Sequence, residues 1–269
     1  MTEPGVTTYL ITRDLVPTLR RKIGLDLDQS IATTISELER TFMEEFWQHV
    51  PPNIERAEAL AEEVTGGLES KARQSRLPIV SLDRVYMPNA DAYLEVTRIT
   101  DPQTGKVKVA ERPGSEPIQK QIERLNGYKR ITLVDVGAFE GETLSVVCEA
   151  LSQNKVEIEN IVLGFTDARA PRRINHSIDV TSLRSFNFYE WIELRDFFGI
   201  DGRLIDDGSG LRKFMPYWEN PRQWASIAQD RETAVIDLCK QYNRRLINLL
   251  ETNGLDTRKI GEHISYQGK

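Results

Sequence analysis

Apolar residues at Ile31, Ile35, Leu38, Phe42, Phe46 and Val50 recur every three or four positions and predict an amphipathic helix from about Ser30 to Val50. Asp28 or Ser30 can cap its start, and Pro51-Pro52 stops it. A second helix, rich in Glu and Ala, is predicted over 53–73, with Gly66-Gly67 weakening its middle. Before them, only Thr7 to Ile11 looks β-like. Beyond residue 76 the pattern changes. Leu77 to Ser81 and Ala92 to Thr97 read as strands, and the turn Asp101 to Gly105 joins two β-prone arms into a hairpin or mobile flap. Ser115 is placed to cap a helix running through Asn126, with Pro117 in its first turn and Gly127 past its end.

Two continuously apolar runs follow, Ile131 to Val134 and Ile158 to Phe165, as in a parallel sheet covered on both faces. The helix between them shows Leu144, Val147, Cys148 and Leu151 on one side. Residues 175–230 look irregular. A last helix is predicted over 231–253, with Ile236, Cys239, Tyr242, Leu246, Leu249 and Leu250 in line and Gly254 at its end. The fold class these elements imply is α/β: a central, mostly parallel sheet flanked by helices, with an N-terminal helical layer and a C-terminal helical cap. The expected organisation is an N-terminal helical region at 1–76, an α/β core at 77–175, and a cap with its helix at 176–269. All three are expected to pack as one globular unit.

Composition narrows the function. The 269 residues carry a formal charge of −6, which argues against broad non-specific nucleic-acid binding but not against a local basic patch. Cys148 and Cys239 fall inside apolar helical patterns and read as buried thiols of a cytoplasmic protein. His49, His176 and His263 are scattered, so no Cys/His set has zinc spacing. No stretch is apolar for long enough to span a membrane, and no secretory signal is evident.

Candidate chemistry concentrates after the first apolar run, at Asp135-Val136-Gly137-Ala138-Phe139-Glu140-Gly141-Glu142-Thr143. An acid at a strand end, then small residues and a helix start, is where α/β proteins bind nucleotides and phosphates. The stretch resembles the type I phosphoribosyltransferase signature of four hydrophobic residues, two acids, small residues and a terminal threonine. The resemblance covers residues 77–167. It implies that Asp135 holds the ribose and, with Mg2+, the pyrophosphate of phosphoribosyl pyrophosphate (PRPP). It also implies that residues 137–143 and the Thr143 hydroxyl cradle the 5-phosphate. Val136 replaces the second acid of that signature, and Glu140 and Glu142 stand where neutral residues are expected. A carboxylate a few ångströms from a phosphate repels it by roughly 1 to 4 kcal/mol, so catalysis is altered or lost unless a cation compensates. Altered loops of this kind are similar to those of phosphoribosyltransferase-like proteins in bacterial defence systems, retron-associated ones included. That likeness implies a role in antiviral defence, a protein or nucleic-acid partner in a defence complex, and a homo- or hetero-oligomer.

Asp135 to Gly141 also resembles the glycine motif of S-adenosylmethionine-dependent methyltransferases, with Asp167 as the ribose-binding acid at the next strand end. That family places the motif on its first core strand, whereas here 269 − 135 = 134 residues remain after it, with few further strands in view. A third reading, of another class, is a non-catalytic module that binds a nucleotide or a partner on the same fold. Other candidates are Arg98, Arg84 and Tyr86, and the basic run Arg169, Arg172 and Arg173, any of which can face a pyrophosphate. The cation-and-aromatic segment 212–224, with Arg222 and Trp224, can stack a base or pack as a cap. His176 has no evident partner in the sequence.

Overall fold

The computed structural model describes residues 7–101, 103–167, 170, 174, 178–206, 211–260 and 265–267. The chain opens with β1 (Thr8–Arg13), α1 (Leu15–Arg21), α2 (Gln29–Phe46) and β2 (Glu55–Leu60). There follow α3 (Ala61–Ala72), β3 (Ile79–Ser81), β4 (Ala92–Tyr93), β5 (Val96–Thr100), β6 (Val107–Glu111) and α4 (Ile118–Glu123). Next come β7 (Arg130–Ala138), α5 (Glu142–Gln153), β8 (Glu157–Asp167), β9 (Asp179–Phe186) and β10 (Phe188–Glu193). The last elements are β11 (Arg203–Asp206), β12 (Leu211–Met215), α6 (Glu232–Thr252) and β13 (Ser265–Gln267).

These elements form two compact units. One comprises Ala61–Ile99 and Val107–Phe188; the other comprises Thr7–Leu60, Thr100–Lys106 and Tyr189–Lys269. The first is an α/β unit with a five-stranded sheet in the order β4-β3-β7-β8-β9, every pair parallel. Its centre is apolar because both faces are covered. Ile131, Leu133, Ile161 and Leu163 lie in one cluster with Leu144, Val147 and Leu151 of α5 and Ile122 of α4. Alternation then turns Val136 and Gly164 to the opposite face, where Val64 of α3 sits. A Cβ on Gly164 would lie 2.6 Å from the Val136 carbonyl oxygen and 2.9 Å from Val64 Cγ1, so only glycine admits α3 this close.

The predicted hairpin is present as β5 and β6, which are neighbours. Its turn is tied by Asp101, whose carboxylate accepts from Gln103 N–H at 2.8 Å and Thr104 Oγ1–H at 2.7 Å. The apolar face predicted for the central helix is the one α5 buries.

Several expectations need correction. Residues 55–60 are a strand, not the start of a 53–73 helix. β1 is almost wholly buried, so its backbone needs ladder partners on both edges, and β10 and β2 provide them. Parallel pairing from Thr8↔Glu55 to Arg13↔Leu60 overrides the helical composition of that segment. The helix from Ser115 is shorter, Ile118–Glu123, with Pro117 at its N-cap. The stretch read as irregular holds β9 to β12. β9 escaped notice because only one of its residues, Phe186, is fully buried, leaving no clean alternation.

In the second unit α1, α2 and α6 enclose an aromatic core. Phe46 and Phe197 have ring centroids 4.6 Å apart, and Tyr242 meets Phe42 edge-on at 5.3 Å. The Tyr242 hydroxyl donates to Glu45 at 2.6 Å. Charged groups are buried beside this core. Arg195, 2% exposed, pairs with Asp14 at 3.3 Å, Glu193 at 2.6 Å and Asp201 at 3.4 Å, and Asp201 also takes Lys22. Burial, reinforced by Asp201 and Glu193, pushes the neighbouring Asp196 carboxyl well up. Glu39, 4% exposed, accepts the Leu15 N–H at 2.9 Å and has Arg13 at 3.7 Å. Burial raises its carboxyl to about 7.

Gly164→Ala is expected to destabilise the α/β unit by about 1–3 kcal/mol through overpacking. Gly66→Ala, where α3 leaves open space, is expected to add about 1 kcal/mol. Thermal melts of the two variants check this, and equal shifts would contradict the close-approach argument. For Glu39 the folded-state value of about 7 lies above the ordinary 4.5. Its stabilising contribution is therefore complete below about pH 4.5 and is lost as pH rises through 7. Glu39→Gln should remove up to about 3 kcal/mol of that decline. Urea midpoints of wild type and variant between pH 5 and 8 measure the difference, and parallel curves would refute it.

Candidate functional site

Strand order locates the crevice of this sheet. From β3 the chain passes to β4 on one side and later returns to β7 on the other, so the winding direction reverses between β3 and β7. In open α/β sheets ligands bind outside the carboxyl ends of the strands at such a switch point. The strands end at different heights there. The β3–β7 ladder reaches Ser81↔Val134, with Leu82 N–H donating to the Val134 carbonyl at 2.9 Å. β7 continues to Ala138, paired to β8 through Gly137↔Phe165 and Ala138↔Thr166.

Asp135 is thus inside β7, not at its end, and Gly137 and Ala138 are strand residues rather than loop. β8 extends as far as β7 does, and its backbone carries the pairing past the acid. Asp135 is half-buried, and its Oδ1 accepts the Val136 N–H at 2.8 Å. Alternation puts it on the face of Ile131 and Leu133, which α5 covers.

The remaining turn is short. Phe139 stacks on Phe188 with centroids 5.3 Å apart and planes at 17°. Glu140 is exposed. Gly141 is the N-cap of α5 at φ +82, a conformation that suits glycine. Among the described residues no side chain caps this helix end, and Glu142 lies exposed in the first turn, where the dipole favours a carboxylate. Thr143 is half-buried, and among the described residues its hydroxyl makes no hydrogen bond.

Asp167 ends β8 and is 1% exposed. It lies on the same carboxyl edge, one strand along. Arg98 is exposed in β5, on the hairpin and outside the parallel sheet β4-β3-β7-β8-β9. Arg169, Arg172, Arg173 and His176 fall outside the described residues.

The loop after β3 supplies Arg84, a cation that the sequence flagged, and an ion-pair chain joins it to two residues that the sequence did not, Glu95 and Arg112. Arg84 is exposed, lies over the Tyr93 ring at 3.9 Å and pairs with Glu95. Arg112 approaches the other Glu95 oxygen at 3.7 Å. Two guanidinium groups thus flank one carboxylate beyond the ends of β3 and β4. Below Arg84, Asp83 fixes the loop by accepting from Val85 N–H at 2.6 Å and Tyr86 N–H at 3.3 Å. The pairing of Glu95 and Arg112 spans the hairpin, so no short-range spacing in the sequence announces it. Segment 212–224 divides: Phe214, Tyr217, Trp218 and Trp224 are buried, so its rings pack instead of lying open.

Among the described residues no group of three or more His, Cys, Asp or Glu can hold a metal ion, and no helix is long and apolar enough to cross a membrane. No protein-family model and no curated protein matches the chain. Solved structures with a similar trace include a purine phosphoribosyltransferase from Pyrococcus horikoshii. It is 13% identical, covered over 49% of this chain and 86% of that one, with a TM-score of 0.33. An adenine phosphoribosyltransferase from Rhodothermus marinus shows 10% identity over 46% and 78%, with a TM-score of 0.32. A hypoxanthine phosphoribosyltransferase from Staphylococcus aureus shows 16% identity over 49% and 74%, with a TM-score of 0.29.

Gly141→Ala tests the turn. A Cβ there would meet Ile174 Cγ1 at 2.8 Å on a backbone of positive φ. A loss of about 1–3 kcal/mol is expected in thermal denaturation, and an unchanged melting temperature would show that the turn relaxes freely.

Proposed function

We propose that the α/β unit binds PRPP or a nucleotide at the carboxyl edge where β3 and β7 meet. The observation that carries this reading is the reversal of strand order at β3/β7, with a helix N-terminus following β7 that no described side chain caps and Arg84 following β3. The backbone amides at the start of α5 and the Thr143 hydroxyl serve a phosphate, and Asp135 serves a ribose hydroxyl. Arg84 and Arg112 supply positive charge for a pyrophosphate, at the cost of loosening their hold on Glu95. Two strands of the same sheet precede β7, which favours this arrangement over one with the glycine motif on the first strand.

Magnesium fits only as an ion carried largely by the ligand. Asp135 would be its single carboxylate, with the pyrophosphate oxygens filling most of the shell, the usual habit of this cation. It would neutralise phosphate charge. Glu140 and Glu142 oppose an anion at the same turn, so the reading extends to binding with slow or absent transfer at the ribose C1.

Titration calorimetry with PRPP and magnesium tests the proposal. A Kd below about 1 mM is expected, weakened about tenfold or more by Asp135→Asn. Absence of heat at millimolar PRPP, or affinity indifferent to Asp135→Asn, sinks the assignment; stabilisation by S-adenosylmethionine in its place would support the methyltransferase reading.

A further inference from the structure

The second unit has a cleft of its own. Tyr189, Asn220, Arg222, Gln223, Ser226, Gln229 and Glu232 are among its lining residues, and it is a shallow hollow, largely open to solvent, with about 680 Å³ of space. That volume is within the roughly 300–1,000 Å³ of small-molecule sites. Its wall is tied to the core. Tyr9 donates its hydroxyl to the Ala225 carbonyl at 2.7 Å, and Ser226 Oγ donates to Glu190 at 2.7 Å. Between these bonds Ser226 is held at φ +48, a left-handed conformation rare for a residue other than glycine and often found at ligand sites.

Some of the polar groups facing the cleft are open, although the Tyr189 hydroxyl donates to the Ser226 carbonyl at 3.5 Å. Tyr189 is 37% exposed, although one side of its ring lies toward Tyr9 at 6.2 Å. Arg222 is exposed and, among the described residues, makes no ion pair or hydrogen bond. Gln229 and Glu232 likewise make no side-chain hydrogen bond among the described residues. The Asn220 amide donates to Gln223 Oε1 at 2.8 Å, which leaves the Gln223 amide hydrogens free to turn outward.

We infer that this cleft is a binding site for a nucleoside monophosphate. A partly exposed tyrosine ring offers a stacking face for a base. Carboxamides present donors and acceptors together, as a base edge requires. A lone guanidinium matches one phosphate through paired N–H donors. The Glu232 carboxylate suits the vicinal hydroxyls of ribose, as the acid of a dinucleotide site does. One cation beside an acid, in a chain of net charge −6, favours a mononucleotide over a polyphosphate or a nucleic-acid strand. This site is separate from the one proposed on the α/β unit and shares no residue with it.

The test uses the full chain in two backgrounds, wild type and Asp135→Asn, the second of which weakens the site proposed on the α/β unit from the start. AMP, GMP, CMP and UMP are titrated by calorimetry, alongside a ten-nucleotide single-stranded RNA. A Kd of about 100 µM or tighter is expected for at least one mononucleotide. Adding Arg222→Gln or Tyr189→Ser should weaken it about tenfold. Both side chains are exposed, and unchanged melting temperatures verify that the variants fold. Failure of all four mononucleotides at 5 mM, or an affinity that neither Arg222→Gln nor Tyr189→Ser weakens, overturns the site. Binding of the RNA alone also overturns it, in favour of a strand-binding surface. Mononucleotide binding that vanishes with Asp135→Asn and survives Arg222→Gln places the nucleotide on the α/β unit and overturns only this inference.

Discussion

The parallel ladder between β7 and β8 is the constraint on which the α/β unit depends. It runs from Arg130↔Glu157 to Ala138↔Thr166, longer than either strand's apolar core requires. Both strands are covered on two faces, so each buried N–H and C=O must find its partner in the ladder. Gly164 permits this by leaving room for α3 above the Val136 carbonyl. With the ladder fixed, the end of β7 stands beyond the end of β3, and the turn at 139–141 and the start of α5 follow from it. The geometry of the candidate site is thus a consequence of how far two strands pair.

The second unit is organised by a different constraint, the burial of charge. Arg195 cannot stay ionised in a dry interior without acids around it, and Asp14, Glu193 and Asp201 surround it. The set has more acids than bases within reach, and the result is visible in Asp196, whose carboxyl is pushed well up by burial and by its acidic neighbours. Such a network adds little net stability compared with apolar packing, but removing one member leaves the others uncompensated. It fixes how the ends of β1 and β10 meet α1, since Asp14 also accepts the Arg195 N–H at 3.0 Å.

The elements legible in the sequence were those whose own burial pattern is periodic. α2, α5 and α6 show their stripes directly, and the apolar runs of β7 and β8 announce a covered parallel sheet. The elements that depend on a distant partner were not legible. Glu55–Leu60 is helical in composition and becomes a strand because β1 needs an edge partner. β9 holds polar residues because it closes the sheet edge, so the alternation that marks a strand is weak. The same division runs through the candidate site. The glycine turn was visible as a string of letters. The extent of β7 past Asp135 was not, because pairing with β8 sets it. Arg84 stood out as a charge after a strand, while its partner Glu95 meets Arg112 only through the folded hairpin.

The acids of the turn share the carboxyl edge of the sheet with Arg84, which follows β3. Glu140 and Glu142 are exposed, where water screens each carboxylate and its repulsion of a phosphate is about 1 kcal/mol at 4 Å. Glu95 is partly shielded and binds two guanidinium groups, so its hold on them is stronger than a pair in bulk water. Under the proposed function, an anion entering the crevice would compete with Glu95 for Arg84 and Arg112 more than it would be repelled by Glu140 and Glu142. Arg84 is oriented in advance by Tyr93 and by the Asp83 turn, which lowers the ordering cost of that exchange. On this reasoning the letters that departed from the phosphate-loop pattern matter less than Glu95, a residue outside that pattern. Neutralising Glu95 would change anion affinity at this edge more than neutralising either acid of the turn.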